Sequence, residues 1–326
     1  MGIVIVIAAI VVALVKIVRN PSDNGIDTLG PRTMPPRNVR LSLEQRFAPV
    51  LKLDSKELLL PITIRTYVST TTLDKRIGKV LKVFQELPTL ASLPSSSLGC
   101  VIASGCMFQL DVRGAEPPRS KGPAYGAINK ALFAHGAKVN VYAYVLQYKN
   151  TGDYAVQYWF LYLFNYRLNE HESDWEQITI MLDKDQNPKA ALYSSHASGY
   201  TRDWDQMEHD GDHPIVYVAL GSHANYFHAG THPVTILCPK LFKRFGVCIS
   251  TLPIRDKSNG HGIALVPEGG YEIKEMPPPR YIGSYGTGNY IQGHRANELL
   301  GDPRLRVAWR NPLARLEKGA QPPGSS

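Results

Sequence analysis

Residues 154–182 read YAVQYWFLYLFNYRLNEHESDWEQITIML, and we interpret them as two strands joined by a polar connection. The stretch 154–164 is aromatic and apolar at odd and even positions alike, which predicts a central strand buried on both faces. Residues 175–182, WEQITIML, predict the next strand. The polar residues between them, NEHESDWEQ at 169–177, are the most chemically distinctive in the chain.

Four more segments combine β-branched and aromatic residues between turn signals, and each predicts a strand. They are PITIRTYV (61–68), VNVYAYVLQY (139–148), AALYSS (190–195) and PIVYVAL (214–220). Helix signals are fewer: residues 73–87 have helical apolar spacing, and 240–245 and 295–300 are short candidates. Many strands with few helices predict a mainly β fold, a β-sandwich with a few flanking helices.

Composition limits the domain organisation and the partners. The chain has 326 residues and a formal net charge of +8 from scattered Lys and Arg, with no arginine-rich arm, so nucleic acid is not an expected partner. A positive surface also suits an anionic membrane. Residues 20–40, rich in Pro, Gly and Asn, predict a linker, and 311–326 predict a disordered tail. We expect one β-sandwich domain between them, at 41–310.

The N-terminal residues 1–19 predict a transmembrane anchor. Gly2 to Val15 carries no charge, and Ile17 and Val18 extend the apolar run past Lys16, which reaches the lower limit of about 17 residues for a spanning helix. A cleaved secretory signal is the alternative, although such signals carry positive charge before the apolar run rather than after it. We therefore expect a single-pass membrane protein.

Two features point to opposite sides of the membrane for the domain, and we expect the cytoplasmic side, with a secreted or extracytoplasmic domain as the alternative. Positive charge after the apolar run favours a domain that faces the cytoplasm. Four cysteines in two close pairs, Cys100 with Cys106 and Cys238 with Cys248, would instead suit two disulfides and a secreted or extracytoplasmic domain. Reduced thiols remain the alternative for these cysteines.

Paired carboxylates at the entry of the second strand suggest a cation site. Alternate residues of a strand share a face, so Asp174 and Glu176 point the same way with Cα atoms roughly 6–7 Å apart, and Trp175 points to the other face. His171, at the loop end, can fold back over them. Two oxygens and an imidazole suit Mg²⁺, Ca²⁺ or Mn²⁺. The alternative is a polar strand entry that faces solvent.

Two histidines at other strand ends could meet this set. His196 lies in YSSHASGY (193–200) and His223 in ALGSHANYFHAG (219–230), both among small residues as a crowded pocket would need. The intervening TRDWDQMEHDGDHP (201–214) is interpreted as a solvated loop or, with Asp203 and Asp205, as a rim for a polar ligand. His196, His223, Asp203 and Asp205 are our candidate ligand-binding residues.

Several stretches together resemble the vacuolar protein sorting-associated protein 62 family. They are QYWFLYLFNYRLNEHESDWEQITIML, YSSHASGY and HPIVYVALGSHANYF, with RFAPVLKLDSKELLLPITIRTYV (46–68) and PRYIGSYG (279–286) at the two ends of the resemblance. That family has no established activity that the resemblance could imply for this chain.

A more distant resemblance is to the necrosis- and ethylene-inducing-peptide-like cytolysins. Their H-D-W-E heptapeptide binds a divalent cation in a cavity that engages sphingolipid sugars, on a β-sandwich with flanking helices. The resemblance implies His171, Asp174 and Glu176 as ligands, with Asn165 in place of an upstream aspartate. Glu170 and Ser173 depart from the heptapeptide, and a membrane anchor is foreign to secreted toxins, so cytolysis is not implied.

These observations predict a membrane-anchored, divalent-cation-dependent module that binds a lipid head group or glycan, with a role in membrane trafficking or organisation. A metal-dependent hydrolase is one alternative, although H-E-x-x-H and G-x-S-x-G are both absent. A scaffold with a structural cation is the other.

Overall fold

The computed structural model of the chain describes seven segments. They are residues 31–77, 80–94, 106–115, 122–167, 170–195, 198–233 and 255–276.

The opening stretch forms the centre of a seven-stranded sheet, as its composition predicts. Strands β7 (Tyr154–Asn165) and β8 (His171–Leu182) pair antiparallel, and every residue of both is buried. The other strands are β1 (Arg32–Thr33), β6 (Asn140–Tyr148), β9 (Pro188–Ser195), β10 (Ser198–Asp203) and β17 (Glu272–Glu275). The order is β1-β6-β7-β8-β9-β10, and β17 adds to β6 in the parallel sense.

A second sheet of five strands contributes to the same core. It contains β2 (Val50–Leu53), β11 (His209–Asp210), β12 (His213–Val218), β13 (Asn225–Tyr226) and β16 (Ala264–Leu265). Buried residues of both sheets, among them Leu51, Val216 and Ile178, belong to one hydrophobic cluster. The Tyr193 hydroxyl of β9 donates to the Ile215 carbonyl of β12 at 3.0 Å, which ties the two sheets together.

Two smaller sheets and three α-helices complete the described fold. Strands β14 (Gly230–Pro233) and β15 (Arg255–Ser258) form one sheet, and β3 (Thr71–Ile77), β4 (Val80–Gln85) and β5 (Cys106–Val112) form the other in the order β4-β3-β5. The helices are α1 (Arg37–Arg46), α2 (Ile64–Ser69) and α3 (Gly122–Ala134), with a 3₁₀ turn at Trp204–Gln206. The prediction of a mainly β fold with few helices is confirmed.

The strand predicted at 61–68 is wrong, because its second half forms α2. Thr63 caps this helix, and its hydroxyl accepts the Thr66 backbone N–H at 3.0 Å. The Ile64 N–H is bonded to the Tyr142 hydroxyl at 2.8 Å. Capping and docking on β6 therefore override the β-branched composition.

The helix predicted at 73–87 is also wrong, because this stretch forms the β3 and β4 hairpin. Ile77 pairs with Val80, so only Gly78 and Lys79 connect the strands, and a glycine in a two-residue connection favours a hairpin. β5 pairs along β3 from Thr71 to Ile77 and supplies the partner that the local sequence does not reveal.

Ordered structure begins before residue 41, because β1 pairs with β6 and α1 starts at Arg37 within the predicted linker. The described segments contain no helix both long and apolar enough to cross a membrane. The predicted anchor at 1–19, the tail at 311–326 and the helix candidates at 240–245 and 295–300 lie outside the described residues. Cys106 is disulfide-bonded.

Candidate functional site

The ladder between β7 and β8 fixes the positions of the predicted cation ligands. Asn165 pairs with His171, and Tyr162 pairs with Asp174. His171 is therefore the first residue of β8 rather than a loop residue. The register is the same on both sides of Leu163 and Ser173, which do not themselves form a bridged pair, and Ser173 has a left-handed φ of 58°. This unusual backbone conformation lies directly before Asp174.

Asp174 is the centre of a buried polar cluster. Its Oδ2 accepts from Asn165 Nδ2 at 3.2 Å and lies 2.8 Å from His223 Nδ1, while Oδ1 lies 3.3 Å from His171 Nε2. Burial alone raises the pKa of the Asp174 carboxyl, but hydrogen bonds and charge from His171 and His223 outweigh it and hold the pKa well below its usual range. The structure thus brings together His171, Asp174, Asn165 and His223.

His223 lies between two carboxylates. Its Nε2 is 3.4 Å from Glu57 Oε1, an ion-pair distance rather than a well-formed hydrogen bond. Burial lowers the pKa of the imidazole, but Glu57 and Asp174 raise it to about 9, so His223 is protonated at neutral pH. The ring stacks on Tyr162 with centroids 3.8 Å apart and planes 6° apart, a suitable geometry for a cation–π contact.

Glu57 is held in place by its own set of donors. Oε2 accepts the Gly221 N–H at 2.7 Å, and Oε1 accepts the Tyr166 hydroxyl at 3.0 Å and the Leu59 N–H at 2.9 Å. Burial raises the pKa of Glu57, and His223 together with the backbone donors reverses this and lowers it. Glu57, His223 and Asp174 form a continuous charged row across the core.

The carboxylates on either side of Asp174 have separate partners. Glu176 Oε2 accepts a short hydrogen bond from Ser194 Oγ of β9. Glu172 Oε1 accepts from the Tyr125 hydroxyl of α3 at 2.7 Å and from the Val112 N–H of β5 at 3.2 Å. Glu172, Asp174 and Glu176 therefore connect β8 to three different parts of the fold.

Trp175 occupies the position that the alternation of the strand predicts. It is buried, and its ring lies 6.1 Å from Tyr142 of β6. The side chain thus packs within the large sheet and helps to set the register of β8.

Two of the predicted ligand-binding residues lie far from this cluster. Asp203 pairs with Ala190, which pairs with Met181, seven residues along β8 from Asp174. The strand rise places that level about 23 Å away. Asp205 follows in the 3₁₀ turn, and both side chains are exposed. The structure does not bring Asp203 and Asp205 to the site, and His196 lies outside the described residues.

A second polar cluster begins at Ser195, next to His196 in the sequence. Ser195 Oγ donates to the Tyr226 hydroxyl at 3.1 Å, and Tyr226 donates to Asp256 Oδ2 of β15 at 2.8 Å. His232 stacks on Tyr226 with centroids 3.7 Å apart. Burial and the nearby His228 lower the pKa of His232 to about 4, so this imidazole is neutral at pH 7. The cluster attaches β14 and β15 to the main sheet.

The sequence reasoning missed Glu57, Tyr162 and Tyr166 as members of the first cluster. A signal for Glu57 was present, because it lies in KLDSKELLLP, within the first stretch used for the family resemblance. The two tyrosines are part of an aromatic strand and its exit, where nothing in the pattern separates them from core residues. Among the residues that the structure describes, no three His, Cys, Asp or Glu side chains are grouped as a metal site requires.

No protein-family model matches the chain. No curated protein matches it either. The resemblance to the vacuolar protein sorting-associated protein 62 family therefore has no support from these comparisons.

Solved structures do match, at low similarity, and necrosis- and ethylene-inducing-peptide-like proteins are among them. NLPPya in complex with glucosamine is 16% identical over 61% of this chain and 72% of that chain, with a TM-score of 0.33. NLPPya in complex with mannosamine is 15% identical, with the same coverage and TM-score. Necrosis and Ethylene inducing Protein 2, from the causal agent of cocoa's Witches Broom disease, is 12% identical over 57% of this chain and 62% of that chain, with a TM-score of 0.27. At these values the likeness carries no argument about the site.

Proposed function

We propose that the protein is a membrane-anchored module that uses a divalent cation to bind the head group of a lipid or a glycan, with a role in membrane trafficking or organisation. The observation that carries the proposal is the pair of His171 Nε2 and Asp174 Oδ1, which face each other 3.3 Å apart. Neighbouring ligand atoms around a cation that coordinates at about 2.1–2.4 Å are separated by a similar distance.

The surrounding residues support a cation with few protein ligands. Asp174 Oδ2 is already engaged by His223 and Asn165, which leaves Oδ1 on the side of His171. Asn165 is therefore proposed as a hydrogen-bond donor to Asp174. Glu176 is proposed as the third protein ligand of the cation, after His171 and Asp174. A hard cation such as Mg²⁺ keeps several waters and needs only one or two carboxylates, and these waters could be exchanged for sugar hydroxyls or phosphate oxygens.

The membrane part of the proposal rests on residues 1–19 and their apolar run. The disulfide at Cys106 favours an oxidising compartment, and hence the secreted or extracytoplasmic placement of the domain over the cytoplasmic one. We also infer that the two larger sheets pack face to face as a sandwich, since their buried residues share one core.

Calorimetric titration of Mg²⁺, Ca²⁺ and Mn²⁺ into the full-length protein tests the cation. We expect binding by wild type, loss of binding in His171→Ala, and no change in His261→Ala, which removes an exposed histidine. Glucosamine, mannosamine and lipid vesicles, added with the cation or with EDTA, then test the ligand. Equal heats for wild type and His171→Ala would refute the site.

One observation favours a structural role as the second candidate. Asp174 and His223 are buried and bonded to each other, as in an ion pair that holds a core together. In that case His171→Ala would lower stability without changing any binding heat.

A further inference from the structure

Exposed apolar side chains are concentrated on the hairpin of β3 and β4. Ten large hydrophobic residues are exposed in the described part of the chain, and five of them fall between residues 77 and 87. These five are more than half exposed: Ile77, Val80, Val83, Phe84 and Leu87. Water-exposed apolar residues normally occur singly, so a cluster of this size in one hairpin indicates a contact surface.

The register places lysines on the same face as the apolar residues. Lys75 pairs with Lys82 and Ile77 pairs with Val80, and because alternate residues share a face these four lie together. Phe84 belongs to this face as well, because its ring packs 5.3 Å from Phe108, the partner of Lys75 on β5. The face therefore combines aliphatic and aromatic side chains with positive charge.

Little negative charge offsets these lysines. Residues 75–87, KRIGKVLKVFQEL, contain four basic residues and one acidic residue, Glu86. The nearby Asp74 is buried and accepts from the Thr72 hydroxyl at 2.9 Å. The charge of the hairpin is complementary to an anionic surface.

We propose that this hairpin is a peripheral membrane-contact element that places Ile77, Val80 and Phe84 at the boundary between the head groups and the acyl chains of an anionic bilayer. Apolar side chains flanked by basic ones are the residues that bind such interfaces. A second copy of the chain is a poorer occupant, because Lys82 on the edge strand β4 discourages strand pairing.

The hairpin projects from the region of the candidate site. Its base adjoins β8, since the Val112 N–H of β5 donates to Glu172 at 3.2 Å and Val112 pairs with Thr71. Its tip, where Ile77 pairs with Cys106, lies six residues further along, about 20 Å by the strand rise. The contact requires neither the cation nor the N-terminal anchor, so it goes beyond the function proposed above.

Trypsin supplies the test, because the exposed Lys82 is a cleavage site inside the hairpin and Lys149 is an exposed lysine in the turn between β6 and β7. Full-length protein is mixed with preformed nanodiscs of phosphatidylcholine alone or of phosphatidylcholine with phosphatidylserine. Cleavage follows the population of the accessible form, so we expect hairpin cleavage to be about tenfold slower in the anionic discs and cleavage at Lys149 to be unchanged. High salt should reduce the protection.

Two variants make the result specific. Replacing Ile77, Val80 and Phe84 by serine keeps every trypsin site and should abolish the protection, whereas serine at the exposed Ile263 and Val266 should not. EDTA and His171→Ala should also leave the protection intact, which separates this proposal from the cation site. Equal cleavage in both kinds of disc, or protection that depends on protein concentration instead of lipid, would overturn the proposal. Loss of protection when Ile263 and Val266 are replaced by serine would also overturn the proposal.

Discussion

His223 Nδ1 lies 2.8 Å from Asp174 Oδ2, and this contact joins β8 to the segment that follows β12. Both side chains are buried, and Glu57 adds a second carboxylate 3.4 Å from the other ring nitrogen. A single buried charge would destabilise the folded protein by its desolvation cost. The charges of Glu57, His223 and Asp174 therefore stabilise one another.

His223→Gln should destabilise the protein by about 3–5 kcal/mol, because it removes the positive partner of the buried Glu57 and leaves Asp174 with His171 alone. Asp174→Asn should also be costly, since it leaves the protonated histidine with one carboxylate. The double variant should cost less than the sum of the two single variants, because the pair interacts directly. Urea unfolding of the four proteins measures the coupling. Additive free energies would contradict the ion pair, and His261→Gln serves as the exposed control.

The same pair predicts how stability depends on pH. The pKa of His223 is raised from 6.5 to about 9, so its contribution is complete below pH 6.5 and is lost as the pH rises through 9. The pKa of Asp174 is lowered from 3.8, so its contribution is present above that pH and is lost as the pH falls further. In EDTA, the free-energy difference between wild type and His223→Gln should therefore shrink between pH 6.5 and 9. A constant difference across this range would show that His223 is neutral in the folded protein.

Trp175→Ala should destabilise the domain by about 3–5 kcal/mol, the usual cost of removing a large buried aromatic side chain. The ring packs near Tyr142 on the large sheet, and its loss also weakens the register that orients Asp174. Trp175→Phe keeps most of the apolar contact and should recover much of the loss. Thermal melts of the two variants, with Trp204→Ala as a half-buried comparison, measure the effect. Similar melting temperatures for Trp175→Ala and wild type would contradict the core position.

The sequence predicts the central sheet well, because a strand that is buried on both faces requires a continuous apolar run. Few other structures require such a run. The prediction from sequence fails at α2 and at the hairpin of β3 and β4, because the composition of these stretches does not distinguish helix from strand. A threonine cap selects the helix at α2, and pairing with β5 selects the strand at β3. At the site, Asp174 and His223 could be identified from local motifs. Glu57 could not be linked to them, because it lies far earlier in the chain and only the packing of three segments brings it to His223.

Gly221, two residues before His223, occupies a position where the structure leaves no room for a side chain. It has φ of 70°, and a Cβ there would overlap the ring of Tyr166, which cannot easily move. The Tyr166 N–H is bonded to the Gly221 carbonyl at 3.0 Å, and its hydroxyl is bonded to Glu57 at 3.0 Å. Gly221→Ala must therefore either shift this ring or shift its own backbone, and both changes disturb Glu57.

Gly211 provides the matched control, because its φ of 58° is similar and a Cβ there would meet nothing within 4 Å. Gly211→Ala carries only the left-handed backbone cost of about 1–2 kcal/mol. Gly221→Ala carries the same cost together with the steric overlap and the loss of Glu57 contacts, so we expect its destabilisation to be at least about twice as large. Urea unfolding of the two variants beside wild type measures the difference. Equal destabilisation would mean that Tyr166 and Glu57 are not held as described, and that the charged row from Glu57 through His223 to Asp174 does not depend on this glycine.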